Sequence, residues 1–216
     1  MTEKMTVEKL QAALDDLDDG VLRKGSHKPG GKFCALEFES QVRGRKWSDQ
    51  PITLPDIRAL NDGFGSDNVA RTKALLPVMV ALWDWQNWSR TRKRRWINQV
   101  VMETVKQIIS KVPKLPEVVR EKCRKVKTVS DAATAANAAA GAATAGAADA
   151  AGAAAAGAAD AARAAAAGAA DAARAASAAA AAAFAAAAAR AAVRATRNTV
   201  LQIACQIWIN AAINPA

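Results

Sequence analysis

GAADAAGAAAAGAADAARAAAAGAADAAR, residues 146–174, decides the fold class. Within it Gly146-Ala147-Ala148-Asp149 returns as Gly157-Ala158-Ala159-Asp160 and again as Gly168-Ala169-Ala170-Asp171, a period of 11 residues. Eleven residues fill three turns at about 3.67 residues per turn, so each repeat comes back to nearly the same helix face. Alanine has the highest intrinsic helix propensity, and the tract from about Asp131 to Arg197 therefore predicts one long helix or a helical hairpin. Unbroken, such a helix would be on the order of 100 Å long at about 1.5 Å rise per residue. A hairpin would break near Gly141–Gly152, where glycines gather. At about 100° per residue Gly146, Gly157 and Gly168 form one line, flanked by the lines of Asp149, Asp160, Asp171 and of Arg163, Arg174. An interior glycine costs about 0.5–1 kcal/mol against alanine. Three in register predict that another backbone approaches there, from a helix of the same chain or from another copy. These glycines are the candidate packing or oligomerisation residues.

Working outward, the large apolar side chains concentrate before Lys127 and after Thr199. Thr6 to Asp19 reads as a helix with Val7, Leu10, Leu14 and Leu17 on one face and Gly20 as its stop. Arg23 to Lys32 is a basic, Gly-rich loop, mobile unless bound. Phe33 to Val42 fits a short helix or a strand. Leu54 to Leu60 starts a helix with Pro55 in its first turn, and Asn61-Asp62-Gly63 reads as a turn. Ser66 or Asp67 can cap a long helix reaching Ile108, with Pro77 as a kink or restart. Glu117 to Val126 makes a short charged helix, and Ser130 or Asp131 caps the alanine tract. The expected fold is all-α: a compact helical domain over 1–127, then an alanine-rich helical tail over 128–216 with an apolar C-terminal segment.

The formal charge of +10 is unevenly spread. Met1–Gly20 carries a net of −4, whereas Gln86–Lys127 sets thirteen Lys and Arg against three Glu, a net of +10. Concentrated positive charge points to an anionic partner, with nucleic acid the commonest. A solvated face, or one touching the acidic first helix of a neighbour, accounts for the same charge. The strongest local signal is Leu82 to Trp96, LWDWQNWSRTRKRRW. Guanidinium groups pair with phosphates and indoles stack on bases or on Arg. Arg90, Arg92, Lys93, Arg94, Arg95, Trp88 and Trp96 are therefore the candidate nucleic-acid contacts. The competing reading puts the tryptophans in the core and leaves the arginines wet.

Cys34, Cys123 and Cys205 lie far apart without CxxC or metal-ligand spacing, which argues for reduced thiols in a cytoplasmic setting and for no metal. The start MTEKMTVEKL lacks the charged and apolar regions of a secretory signal. Ala178–Ala189 and Val200–Ile213 are too short to span a bilayer, so no membrane partner is expected. No Gly-rich phosphate loop or G-x-S-x-G appears, and no cofactor is implied.

Two resemblances bear on function. Cys34-Ala35-Leu36-Glu37, followed by Gly44 and by Trp47-Ser48-Asp49-Gln50-Pro51, resembles a motif of uncharacterised alanine-rich proteins of bacteriophages and actinobacteria. That family carries C-x-M-E, then G-x-x-[WF]-S-D-H-P, a leucine-Asn-Asp turn, and alanine-rich repeats at its end. The likeness covers roughly Cys34 to Pro77 plus the composition of the tail, and implies a phage or bacterial protein without an assigned activity. Here Leu36 replaces the family's Met and Gln50 its His. A Cys, His and Asp set could serve as nucleophile, base and orienting group. Gln50 removes that set and leaves His27 as the one histidine, so a thiol enzyme is not expected. Cys34 and Glu37 should instead support packing and a polar contact to Ser48 or to the Trp47–Asp49 turn. The 11-residue alanine repeat also resembles type I antifreeze helices, which place Thr where this repeat has Asp and Gly.

The sequence thus predicts a non-enzymatic binding or scaffolding protein with nucleic acid as its partner. Self-assembly through the alanine tail is the alternative, and ice binding is third.

Overall fold

In a computed structural model the described residues are 4–25, 27–29, 32–111, 115–145 and 194–214, and among them the regular structure is helical, with no strand. Gly146, Gly157, Gly168 and the whole 11-residue repeat lie outside the described residues, as does the choice between one long helix and a hairpin.

Helix α1 (Val7–Leu17) starts where the Thr6 hydroxyl accepts the Lys9 N–H and buries Leu10 and Leu14. It stops before Gly20, whose φ of +77° is costly for any residue with a Cβ. The next segment dips inward: Leu22 is fully buried and its N–H reaches the Thr72 hydroxyl at 2.8 Å. The Phe33–Val42 ambiguity resolves as helix α2 (Ala35–Val42). It ends in a Schellman turn, with the Arg45 N–H on the Ser40 carbonyl, the Gly44 N–H on that of Gln41, and Gly44 at φ +64°.

Three boundaries differ from expectation. Asn61-Asp62-Gly63 is the second half of helix α3 (Arg58–Gly63) rather than a turn, and Pro55 precedes that helix. The long helix to Ile108 is two: α4 (Asn68–Ala81), capped by Asp67, and α5 (Arg90–Gln107). Pro77 sits inside α4 without ending it, and the break comes at Leu82–Ser89 around a 3-10 turn, Trp85–Asn87. Helix α6 (Glu117–Arg124) follows, then α7 (Val129–Ala145). The cap of α7 is Thr128: its hydroxyl accepts the Asp131 N–H at 3.1 Å while Asp131 Oδ2 accepts the Thr128 N–H at 2.9 Å. This reciprocal capping box puts Asp131 one turn inside the helix.

Helix α8 (Arg194–Ile213) packs across both α4 and α5, α7 lies on α5 and α6, and α1 lies on α4. Ala132, Ala135, Ala136 and Ala139 are buried at helical spacing, so the described part of the alanine tract uses its small face within the chain. One buried cluster joins Leu10, Trp96, Ala135 and Trp208, and it runs across the boundary expected at 127.

The junction of these elements is held by Arg71, which is fully buried. Its guanidinium donates to the Asn61 carbonyl at 2.7 Å, to the Leu22 carbonyl at 3.0 Å, and to Gly65 O and Asn68 Oδ1. Burial lowers its pKa from the ordinary arginine value, opposed by the Asp62 and Asp67 carboxylates. Each buried carbonyl left without a donor costs about 1–3 kcal/mol. Arg71→Leu should therefore destabilise the fold by about 3 kcal/mol or more, read as a lower urea midpoint. A shift within about 0.5 kcal/mol, the usual range for a surface change, would refute this role.

Candidate nucleic-acid interface

The break at Leu82–Ser89 shapes the basic end of α5. Trp88 has ψ 140° and Ser89 ψ 155°, both extended, and the Ser89 hydroxyl then accepts the Arg92 N–H at 3.2 Å to open the helix. The turn folds the tryptophans onto one another. Trp85 lies 5.2 Å from Trp88 and 5.0 Å from Trp96, and Trp96 meets Trp208 edge-on at 4.9 Å. Trp85, Trp88 and Trp96 thus come together through the turn rather than along one helix.

Two of the expected contact residues are interior. Trp96 is fully buried and its indole N–H donates to the Trp208 carbonyl at 3.1 Å. Trp88 is 7% exposed and is covered by the Arg92 guanidinium at 3.9 Å. Neither offers a free ring face for a base. Apolar burial of an indole outweighs the interfacial role that its neighbours in sequence suggest.

The cations divide in two. Arg92, besides covering Trp88, donates to the Ala212 carbonyl at 3.3 Å and so ties α5 to the last turn of α8. Lys93 donates to the Gln86 carbonyl at 3.4 Å and lies 5.4 Å over the Trp85 ring. Arg90, Arg94 and Arg95 are exposed. Arg94 and Arg95 have no hydrogen-bond or ion-pair partner among the described residues. The first turn of α5 holds no acidic residue, so these cations crowd the positive end of the helix dipole. By contrast α6 neutralises much of its own charge, with Arg120 and Arg124 on Glu117 and Lys125 on Glu121 at 3.1 Å.

The Cys34 motif builds a separate, structural node. Glu37 is 1% exposed, and its carboxylate accepts the Cys34 N–H at 2.8 Å and the His27 N–H, with His27 Nδ1 at 2.9 Å. The Trp47 indole donates to the His27 carbonyl at 3.1 Å and packs on Phe33 at 4.9 Å. The polar contact expected between Glu37 and Ser48 is instead made to His27, while the Ser48 carbonyl accepts the Ser40 hydroxyl at 3.1 Å. Asp49 accepts from neighbouring Gln50 at 3.1 Å. Two described residues of the basic, Gly-rich loop are held: the Gly25 N–H donates to Asp62 at 2.8 Å, and Asn61 donates to the Arg23 carbonyl at 2.9 Å. His27 was missed as a partner of this node. The one available signal was a lone histidine shortly before Cys-x-x-Glu.

All three cysteines are unpaired and buried. Burial pushes the Cys34 and Cys205 thiols up to about 12 and Cys123 up to about 11. Among the described residues no helix is long and apolar enough to cross a membrane, and no three metal-ligating side chains stand together. Alkylation of the native protein at neutral pH should label none of the three cysteines, and urea should expose all of them. The raised thiols keep more protons in the folded state than in the unfolded one. Their stabilisation is full below pH 9.0, the ordinary thiol value, and is lost as pH climbs towards about 12. Rapid labelling of the native protein, or stability that rises across that alkaline range, would contradict this picture. Searches of family models, curated proteins and solved structures find nothing that matches this chain.

Proposed function

We propose that this chain is a non-enzymatic binding protein that holds nucleic acid by its phosphate backbone through Arg90, Arg94 and Arg95 at the exposed end of α5. The observation that carries the reading is charge density: five cations within the first six residues of a helix without an acid in the first turn, with the exposed Arg94 and Arg95 side chains outside every hydrogen bond and ion pair among the described residues. Cations at a helix N-terminus are disfavoured by about 0.3–1 kcal/mol each, and like charges repel in addition. Phosphates relieve both penalties and release counterions on binding. Arg92 and Lys93 position this end, because each is already engaged with the tryptophan cluster. With Trp88 and Trp96 enclosed, base stacking contributes little, and contacts to phosphate fix position without reading sequence. The protein then binds duplexes of any sequence at comparable strength.

Titrating labelled duplex DNA at several salt concentrations tests this. Affinity should fall steeply with salt, and changing Arg90, Arg94 and Arg95 together to Gln should lower the slope of log K against log salt by about 2–3, near 0.9 per lost phosphate contact. The same variant should be at least as stable as the parent, since all three side chains are exposed and their removal relieves the crowded charge. Equal binding by the variant, or no binding at low salt, refutes the proposal.

A further inference from the structure

A groove of about 570 Å³ runs between α1 and α4, and no residue of α5 lines it. Its apolar lining comes from Val7, Ala12, Val21, Leu76 and Val69, the last 69% exposed. Glu8 and Asp15 line its α1 side, Asp16 follows on the same acidic helix, and Lys73 lines the α4 side. The same chain carries the complementary surface. Val118 is 66% exposed on α6, and Lys122 and Lys125 follow it at i+4 and i+7 on the outward face. The inward face holds Val119, Cys123 and Val126, all buried. Glu117–Lys127 sets five cations against two acids, opposite in sign to the −4 of Met1–Gly20. Within one chain α6 is occupied with α7 and the turn after α5, so its outward face is presented away from that packing.

We infer that the α1/α4 groove of one copy receives the outward face of α6 from a second copy. Val118 seats on the apolar lining of the groove, and Lys122, which is exposed and pairs with no acid of its own helix, meets Glu8, Asp15 and Asp16. Apolar contact supplies affinity, and the opposed charges set orientation and speed encounter. The two faces differ, so the contact is heterologous: each copy has one groove and one α6 free, and assembly extends head to tail. This inference is independent of nucleic-acid binding, which uses α5.

Two single substitutions test it in the full-length chain. Val69 and Val118 are each the second residue of a helix, where aspartate suits the helix dipole, so Val69→Asp and Val118→Asp leave the fold intact by circular dichroism. Sedimentation velocity of the parent should show concentration-dependent association that weakens with salt. Each variant alone should lose at least tenfold in association constant. An equimolar mixture should recover a dimer and stop there, because only one intact groove and one intact α6 remain to meet. A parent that stays monomeric overturns the inference. So do variants that associate like the parent, as they would through the alanine tract, and a mixture that stays monomeric.

Discussion

Everything around the basic end of α5 depends on one contact, the perpendicular packing of Trp96 and Trp208. Trp96 is fully enclosed because α8 lies across α5, and the indole N–H is satisfied by a carbonyl of that same helix. A buried indole without its acceptor would carry an unpaired donor, so the contact fixes orientation as well as burying area. Helix α8 also supplies Leu201, Ala204, Cys205, Ile207 and Ala211 to the buried cluster, and α4 packs on it from the other side. Removing either tryptophan to alanine belongs to the class of core deletions that cost about 3–5 kcal/mol. The guanidinium of Arg92 completes the arrangement by bridging Trp88 and the end of α8, which fixes the N-terminal end of α5 against the last helix.

Among the described residues the buried charged side chains, Arg71, Glu37 and Glu39, each have specific partners. Arg71 is surrounded by oxygen acceptors, Glu37 by backbone and imidazole N–H groups, and Glu39 by Arg43 and the Thr53 hydroxyl. Each of these groups ties together segments far apart in the chain. Arg71 joins the segment after α1 to the ends of α3 and α4, and Glu37 joins the Gly-rich loop to α2. Such pairings are costly to break and specify one arrangement, because an alternative packing would leave a charge without partners. They explain how a body rich in small residues and short helices settles on a single geometry.

The parts legible in the sequence were those written in local chemistry. Asp67, one of the two caps the sequence offers, is the cap of α4, and α1 buries Leu10 and Leu14 at the expected spacing while Leu17 of the same face is exposed. The basic end of α5 was legible for the same reason, since charge density needs no fold to be seen. The break at Leu82–Ser89 was not, because it contains neither Gly nor Pro and is imposed by tryptophans packing on one another and on α8. Asn61-Asp62-Gly63 carries turn chemistry yet is helical, since Asn61 is buried with its amide donating to Arg23 and its Oδ1 accepting from Ala35. Tertiary bonds there override local preference. The interior place of Trp88 and Trp96 was the competing reading of the sequence, whereas the acceptor of the Trp96 indole, on a helix more than a hundred residues later, had no local signal.

That separation sets the order in which the molecule can complete itself. The Trp96 indole and its acceptor are 112 residues apart, which at about 5–20 residues per second of synthesis is a delay of roughly 6–22 s. During that interval α4 and α5 are made but lack their shared wall, and the Trp96 ring and the apolar face beside it are open to water. A nascent chain in this state presents an aromatic surface flanked by arginines, the kind of segment that holding chaperones recognise and that self-associates when left bare. Maturation of the basic surface is therefore coupled to arrival of Arg194–Ile213: until that helix docks, Arg92 has no Ala212 carbonyl to hold and the end of α5 has no fixed bearing.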